Sequence, residues 1–337
     1  MRISASAPTR IDLAGGTIDI WPLYLFHDGA QTINVAISLR ASAVVDTRGD
    51  GRVVIHSEDT GGVVDVPDVT HLDQGTTLPL LRLLVRWFST HGRDSRVRGG
   101  LTLTTSSESP AGAGIAGSSA LNVAVCAALA RWSGYEADEE TLLEIAKNIE
   151  AVVIGVPTGL QDYRPAMYGG VAALTLDAAG ITRVPLDVNP ESIHARFVLC
   201  YTGEPRSSGT NNWEIVKRHI DGDQGVIDGL ARIRDTAAAM RTALAAGDWH
   251  AVGLALAEEW RNRKRLAPGV TTPTIDALVD AASRAGATAA KICGAGGGGC
   301  LLCLAPPERR SAVAAALQDA GARLLPFQVD QRGLVYG

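Results

Sequence analysis

A glycine-rich stretch followed by two serines is the part of the sequence best suited to bind phosphate. Residues 110–119 read Pro-Ala-Gly-Ala-Gly-Ile-Ala-Gly-Ser-Ser, and an alanine-rich run with high helix propensity follows. Just before this stretch, residues 101–105 alternate apolar and hydroxyl side chains, which predicts a strand. A strand, a glycine loop and a helix start present unhindered backbone N–H groups and a helix N-terminus to an anion. The sequence therefore predicts a phosphate-binding loop.

Two familiar nucleotide-binding spacings occur in this stretch, and neither fits completely. The glycines match the dinucleotide fingerprint G-x-G-x-x-G, which requires a second strand after the helix. Residues 136–147 instead predict a second amphipathic helix, so the dinucleotide-binding unit is excluded. Gly112 and Gly117 also have P-loop spacing, but Ser118 and Ser119 stand where that loop has lysine and a hydroxyl residue. Without the lysine, backbone N–H groups, the helix dipole and a metal ion must neutralise the phosphates, and the two hydroxyl groups are well placed to help hold Mg²⁺.

Two acidic side chains farther along the chain could supply a metal ligand and a base. Glu150 lies in a predicted helix, and the glycine- and proline-containing loop that follows delivers Asp162. Carboxylates on either side of a short loop suit Mg²⁺ coordination and general-base work respectively. The alternative for Asp162 is an ordinary Asx turn before the following segment.

The N-terminal strand ends beside small residues and a second charged pair. Residues 3–13 predict a strand interrupted by Pro8, and the sequence Ala-Gly-Gly-Thr at its end leads to Asp19. Asp19 then lies near Arg10, and its carboxylate can accept two hydrogen bonds from sugar hydroxyl groups. The alternative is a surface Arg–Asp pair, which contributes little to stability.

Three stretches, in this order along the chain, resemble motifs of one enzyme family. Residues 7–19, Ala-Pro-Thr-Arg-Ile-Asp-Leu-Ala-Gly-Gly-Thr-Ile-Asp, resemble the N-terminal substrate motif of the GHMP kinases. This family includes galactokinase, homoserine kinase, mevalonate kinase and phosphomevalonate kinase. Residues 110–120 resemble its ATP-binding motif, and residues 291–300, Lys-Ile-Cys-Gly-Ala-Gly-Gly-Gly-Gly-Cys, resemble its C-terminal glycine motif. Together the three motifs span nearly the whole chain.

The resemblance implies ATP and Mg²⁺ as cofactors and suggests a role for each motif residue. Asp162 would take the proton of the accepting hydroxyl group, and Arg10 would stabilise the phosphoryl group in transfer. The expected ATP-binding residues are Pro110, Gly112, Ala113, Gly114, Gly117, Ser118 and Ser119. The expected Mg²⁺ ligands are Ser118 or Ser119 together with Glu150. The expected substrate contacts are Gly16, Asp19, Arg206, Gly296 and Gly297, with an exposed loop arginine as the alternative for Arg206.

Within the family, the chain most resembles sugar 1-kinases of the D-glycero-D-manno-heptose 7-phosphate kinase and L-fucose kinase type. This implies phosphoryl transfer to the anomeric hydroxyl group of a heptose 7-phosphate or related sugar, with a small sugar or sugar phosphate as the partner. The alternatives are a kinase of a non-sugar alcohol of the mevalonate or homoserine type, a decarboxylase relative, and a non-catalytic sensor of sugar or ATP. Two departures from the family motifs concern Ala116, where relatives usually have glycine, and residues 15–19, which read Gly-Gly-Thr-Ile-Asp instead of Gly-Gly-Gly-Thr-Asp.

The elements that must position these residues indicate an α+β protein. Several predicted strands precede helices that pack on them, among them an amphipathic helix over residues 78–90. The resemblance implies the two-domain GHMP kinase fold, with an ATP-binding domain similar to ribosomal protein S5 domain 2 and a ferredoxin-like C-terminal domain. A polar, proline-containing segment at residues 182–192 marks the boundary, so we expect domains at residues 1–185 and 186–337.

Three local patterns carry further expectations. Trp21 and Tyr24 have helical spacing, which favours a place in the core over stacking on a sugar. Residues 32–37 and 43–45 predict two separate strands. The basic residues within 261–265 could hold a substrate phosphate, but a solvated helix end is the favoured interpretation.

Composition narrows the function classes. The 337 residues are 46% hydrophobic and 20% charged, which is typical of a soluble globular protein, and a net charge of −5 argues against nucleic acid as the main partner. No apolar run approaches the length of a membrane span and no signal peptide opens the chain, so we expect a cytoplasmic enzyme without a membrane partner. Five scattered cysteines disfavour a disulfide framework, and Cys300 and Cys303 lie in an apolar run that predicts a buried strand. The oligomeric state, a homodimer included, is left open.

Overall fold

The computed structural model describes residues 1–156, 158–205 and 208–337, which form two β-sheets with helices packed against them. The strands, numbered along the chain, are β1 (Arg2–Ala14), β2 (Gln31–Thr47), β3 (Val53–Ser57), β4 (Gly62–Val66), β5 (Leu101–Ser107), β6 (Val171–Asp177), β7 (Gly180–Pro185), β8 (Phe197–Tyr201), β9 (Ala289–Ile292), β10 (Cys300–Leu304), β11 (Arg323–Leu324) and β12 (Val335–Tyr336). The α-helices are α1 (Pro79–His91), α2 (Gly117–Ser133), α3 (Glu139–Ile154), α4 (Tyr163–Tyr168), α5 (Pro190–His194), α6 (Ser208–Ile220), α7 (Gln224–Ala246), α8 (Trp249–Leu266), α9 (Pro273–Ala285) and α10 (Arg310–Asp319). Short 3₁₀ helices occur at Leu23–Phe26, Val69–Asp73, Ser95–Gly99 and Pro307–Arg309.

The first sheet carries the predicted phosphate-binding loop. Its order is β12-β1-β2-β5-β3-β4, while β6 pairs with the first part of β2 and β7 pairs with β6. All of these pairings are antiparallel except that of β3 with β5. Helix α2 is buried over most of its length, because its many alanines leave no bulk to hold it away from the sheet. The loop between β5 and α2 is thereby fixed at both ends.

The second sheet confirms the predicted fold class. Its strand order is β11-β8-β10-β9. Numbered within the sheet, this is 4-1-3-2, with helices between the first and second strands and between the third and fourth, as in a ferredoxin-like arrangement. Together with the first sheet it gives the two-part α+β architecture that the sequence predicts. Both Cys300 and Cys303 lie in β10, all of whose residues are buried, so the predicted buried strand is also confirmed.

The two sheets share a core and are joined twice. One buried apolar cluster contains Ile11 and Ile33 from the first sheet and Phe197 and Leu302 from the second. Strand β7 ends at Pro185, next to the boundary that we propose between residues 185 and 186. Residues 328–337 then return to the first sheet, where β12 pairs with β1. Within the described part of the chain, no helix has the length and apolar character needed to cross a membrane.

Two local predictions are wrong, and in both cases tertiary contacts are the reason. The strands expected at residues 32–37 and 43–45 are one long strand, β2, which pairs with β1 along most of its length and with β6 and β5 in its first and second parts. A register shift between Pro8 and Thr9 lets β1 follow it without a break. Trp21 is exposed rather than buried, whereas Leu23 is buried and Tyr24 is partly buried in the 3₁₀ helix that follows.

The turn after β1 depends on a glycine. Gly15 has φ of +84°, and a Cβ atom there would lie 2.1 Å from the carbonyl oxygen of Gln31 in the neighbouring strand. Both the backbone conformation and the close approach therefore require the absence of a side chain. This turn sets the path of the chain from β1 to Asp19.

We expect Gly15→Ala to destabilise the protein more than a glycine replacement that has only the unfavourable φ. Gly29 provides the matched control, because it has φ of +78° but a Cβ atom there would meet nothing within 4 Å. The left-handed conformation alone should cost Gly29→Ala about 1–2 kcal/mol. The clash should cost Gly15→Ala about 1–3 kcal/mol more. Urea unfolding of the two variants measures the difference, and equal losses would contradict the steric argument.

Candidate active site

A cleft of about 440 Å³ opens over the glycine loop between β5 and α2. Gly112, Gly114 and Ala116 all have positive φ, so left-handed and ordinary backbone conformations alternate along the loop before α2 begins at Gly117. Ala116, at φ of 62°, holds a conformation that costs an alanine about 1–2 kcal/mol relative to the right-handed region. This explains why glycine suits the position. The other walls of the cleft include Ser57, Asp59, Thr60, Leu78, Leu80, Leu81, Ser107, Ser109, Leu121, Ile154 and Val156.

Backbone hydrogen bonds tie this loop to both sheets. The Arg10 N–H donates to Ile115 O at 3.0 Å, and the Cys300 N–H donates to Ala113 O at 2.7 Å. The Arg10 guanidinium adds a bond to Gly114 O at 3.0 Å. The three motif regions therefore meet at the loop, although they are far apart in the sequence.

Glu150 lies at the foot of the cleft in a set of oxygen atoms. Its carboxylate accepts hydrogen bonds from Ser118 Oγ at 2.9 Å, Ser119 Oγ at 3.4 Å and the Tyr163 hydroxyl at 2.5 Å. Burial raises the pKa of Glu150, although the bonds from Tyr163 and Ser118 oppose the shift. Hydroxyl and carboxylate oxygens are the ligands that Mg²⁺ prefers, so the donor set fits a magnesium ion.

An ion pair joins buried Arg10 to the partly exposed Asp162. Arg10 donates to Asp162 Oδ1 from Nε at 2.9 Å and from Nη2 at 2.5 Å, and only 1% of the Arg10 side chain is exposed. Burial alone would lower the pKa of Arg10, but the charges of Asp162 and Asp12 outweigh it and raise the pKa. The guanidinium is thus a permanent positive charge between the glycine loop and the Asp162 carboxylate.

Asp12 connects this pair to the C-terminal glycine stretch. Its carboxylate accepts from Arg10 Nη1 at 3.1 Å, from Lys291 Nζ at 2.5 Å and from the Gly294 N–H at 3.0 Å. Burial would raise the pKa of Asp12, but the charges of Lys291, Arg10 and Arg263 hold that pKa at about 2. Asp12 is therefore ionised and fully bonded in the interior.

A second, smaller cavity of about 40 Å³ lies on the other side of Arg10. Asp19 lines it and is 1% exposed, with Oδ2 accepting the Gln161 N–H at 3.0 Å. Burial and the nearby charge of Asp162 raise the pKa of Asp19 to about 6. Residues that line both cavities are Gly159, Asp162 and Asn212. Asp162 therefore stands where the two cavities meet.

The structure brings most of the predicted site residues together. Residues on the large cleft are Pro110, Gly112, Ala113, Gly114, Gly117, Ser118, Ser119 and Glu150. Residues on the small cavity are Arg10, Asp19 and Asp162. Gly16 lies behind this cavity, where a Cβ would meet the Arg263 guanidinium at 2.6 Å.

The C-terminal glycine stretch contributes other residues than those predicted. Gly294 and Ala295 line the small cavity. Gly296 and Gly297 instead contact Val270, whose carbonyl oxygen accepts the Gly297 N–H at 2.9 Å. Arg206 lies outside the described residues.

Among the other residues of the small cavity, Gln161 and Asn212 were not predicted, and Arg263 was considered only as part of a basic cluster. Arg263 is 4% exposed and donates to Thr17 Oγ1 and Gly294 O, so at this position the solvated helix end is wrong. Its spacing from buried Glu259 and Leu256 on α8 could have revealed it, because residues three and four apart share a helix face. Gln161 adjoins Asp162, whereas nothing in the sequence marks Asn212.

We expect Asp19→Asn to stabilise the protein at pH 8 and to have no such effect near pH 4. A carboxyl pKa raised from 3.8 to about 6 means that ionised Asp19 disfavours the folded state. This penalty is absent below pH 4, grows through pH 6 and then stays constant, reaching about 3 kcal/mol. Urea unfolding from pH 4 to 8 measures the difference from wild type, and exposed Asp28→Asn is the control. A difference independent of pH would contradict the assignment.

Comparison with known proteins identifies the family of the chain. Residues 81–170 match the family model of the GHMP kinases N terminal domain, and residues 240–323 match that of the GHMP kinases C terminal, together just over half of the chain. The chain is 26% identical to D-glycero-alpha-D-manno-heptose 7-phosphate kinase of Campylobacter jejuni, with 98% of each protein covered. It is 27% identical to mevalonate kinase of Thermococcus sibiricus, covering 99% of this chain and 98% of that protein. A D-glycero-D-manno-heptose 1-phosphate kinase structure from Bacteroides thetaiotaomicron has the same fold, with a TM-score of 0.81 at 23% identity, covering 99% of this chain and 98% of that one. The chain belongs to the GHMP kinases.

Proposed function

We propose that this protein is a cytoplasmic ATP-dependent kinase that phosphorylates a sugar hydroxyl group. The proposed acceptor is the anomeric hydroxyl group of a heptose 7-phosphate or a related sugar. The observation that carries the proposal is the position of Asp162, which lines both the cleft over the glycine loop and the small cavity beside Asp19. A carboxylate at that junction can contact an acceptor in one cavity and face a phosphate chain in the other.

The residues around Asp162 support direct transfer between two bound substrates. The glycine loop and the start of α2 would hold the ATP phosphates through backbone N–H groups. Asp162 would accept the proton of the hydroxyl group, while Arg10 keeps the carboxylate in place through two hydrogen bonds. Arg10 also adds positive charge beside the phosphoryl group as it moves between oxygens.

Ser118, Ser119 and Glu150 would hold the magnesium ion of the nucleotide. The Ser118 hydroxyl group donates a hydrogen bond to Glu150. The lone pairs of the Ser118 oxygen therefore stay available to a cation. A bound magnesium ion would supply charge neutralisation for the phosphate oxygens. Tyr163 donates to the same carboxylate and so fixes its orientation.

Mevalonate kinases among the relatives keep a second acceptor class open. Mevalonate carries a carboxylate, and in the small cavity such a group would meet the acids Asp19 and Asp162 as well as the cations Arg10 and Arg263. With equal numbers of both charges, the lining side chains give an anionic acceptor no net attraction. A panel containing D-glycero-D-manno-heptose 7-phosphate, L-fucose, mannose, uronic acids, mevalonate and homoserine tests the proposal by ADP release. Carbon NMR of the product then locates the phosphate.

We expect Asp162→Ala to reduce kcat about 10²- to 10⁴-fold with the accepted sugar, because a general base is lost. The KM for ATP should change little, since the glycine loop stays intact. Exposed Asp28→Ala serves as the control carboxylate and should keep full activity. A sugar that is phosphorylated equally well by the Asp162→Ala variant would exclude Asp162 as the base.

We expect Glu150→Gln to raise the Mg²⁺ concentration needed for half-maximal activity at least about tenfold, because an anionic ligand becomes neutral. Tyr163→Phe is the matched control, since it removes a hydrogen bond from the same carboxylate but keeps its charge. Titration of activity with Mg²⁺ at saturating ATP separates the two. If both variants shift the titration equally, Glu150 acts through packing and not as a ligand.

A further inference from the structure

Two buried oxygen atoms in the small cavity have unused hydrogen-bonding capacity. Asp19 Oδ1 and Gln161 Oε1 are inaccessible to solvent, and no protein donor from residues 1–156, 158–205 or 208–337 bonds to either. Both residues line the cavity, where Asp19 is 1% and Gln161 6% exposed. A buried acceptor without a donor costs about 1–3 kcal/mol. Both atoms would be satisfied by a ligand that donates.

The backbone of Gln161 is fixed relative to Asp19. The Gln161 N–H donates to Asp19 Oδ2 at 3.0 Å, and a β-bridge joins Ile20 to Gly159. The side chain of Gln161 therefore starts from a backbone position locked to Asp19. Because Asp162 follows directly, this pair lies next to the carboxylate at the junction of the cavities.

The two guanidinium groups that line the cavity, by contrast, already donate to protein acceptors. Arg10 donates to Asp12, Asp162 and Gly114 O. Arg263 donates to Thr17 Oγ1 at 2.6 Å and to Gly294 O at 2.5 Å. The charged donors of the cavity are thus engaged, whereas Asp19 Oδ1 and Gln161 Oε1 are not.

The charges lining the cavity select among possible donors. Two guanidinium groups, Arg10 and Arg263, and two carboxyl groups, Asp19 and Asp162, line the same small space. With two cations and two acids in the same space, a charged ligand group gains no net attraction from the lining side chains. A neutral hydroxyl group can donate to the two free acceptors without bringing a charge into this space.

We propose that Gln161 determines acceptor specificity, by accepting a hydrogen bond from a second hydroxyl group of the substrate beside the one that Asp19 binds. The cavity would therefore select a neutral polyol portion with neighbouring hydroxyl groups. This inference rests on the proposed function and deepens it. It assigns to Gln161 a contact that a mono-alcohol acceptor cannot make.

The test combines Gln161→Met with analogues of the sugar that the wild-type protein phosphorylates. In each analogue one non-reacting hydroxyl group is replaced by hydrogen or by fluorine, and fluorine cannot donate a hydrogen bond. At one position we expect both replacements to reduce wild-type kcat/KM roughly 10- to 100-fold. Gln161→Met should lose a similar factor on the parent sugar and nothing further on those two analogues. Exposed Gln318→Met controls for the substitution itself.

Three results would overturn the inference. The first is that Gln161→Met keeps the activity of wild type on the parent sugar. The second is that this variant loses the same factor on the parent sugar and on every analogue, and the third is that wild type prefers an amino sugar to the neutral one. The wild-type analogue series stands alone if the variant does not fold, because equal turnover of all analogues also overturns it.

Failure of the proposed function has a separate signature. In that case wild type releases no ADP with any sugar in the panel. Ligand-observed NMR then compares binding of the same polyols and analogues to wild type and Gln161→Met. Binding that weakens with the variant, and only for polyols with the critical hydroxyl group, supports the Gln161 contact. Unchanged binding, or no polyol binding by wild type, overturns it.

Discussion

The buried charge of Asp12 is the contact on which the site depends. Its carboxylate holds Arg10 from β1, Lys291 from β9 and the backbone of Gly294, so it joins the two sheets at their centre. An ionised group in such a place is tolerated only when its hydrogen bonds are complete, and removing one partner leaves an uncompensated charge. The arrangement therefore fixes Arg10 and, through Arg10, the position of Asp162.

The two cavities next to this centre differ in the groups that line them. The large cleft is bounded by backbone N–H groups, hydroxyl groups and the start of α2, a combination suited to anions. In the small cavity, Asp19 and Gln161 each present a buried acceptor oxygen. Arg10 and Asp162 lie between them and are bonded to each other. A kinase needs two such sites. The phosphate oxygens of ATP only accept hydrogen bonds and require donors from the protein, whereas the hydroxyl groups of the second substrate can donate to protein oxygens.

The sequence predicts features that depend on local chain chemistry and fails where distant segments decide. The glycine loop before α2 and the class of the fold were predictable, because a strand, glycines and an alanine-rich helix have local signatures. The bond between Lys291 and Asp12 spans 279 positions, and no local pattern encodes it. The exposure of Trp21 and the burial of Arg263 were missed for the same reason, since helical or basic composition does not say which neighbour covers a side chain.

The return of residues 328–337 to the first sheet has a consequence for synthesis. Arg40 on β2 bonds to Ser6, Asp330 and the Gly333 carbonyl oxygen. The first sheet therefore includes residues that are synthesised after the last strand of the second sheet. Until those residues are synthesised, the edge of β1 that later pairs with β12 is unpaired. Unpaired strand edges can pair with other chains and cause aggregation. Closure of this edge therefore requires the synthesis of residues 328–337, so the solubility of the first sheet depends on chain that follows the second sheet.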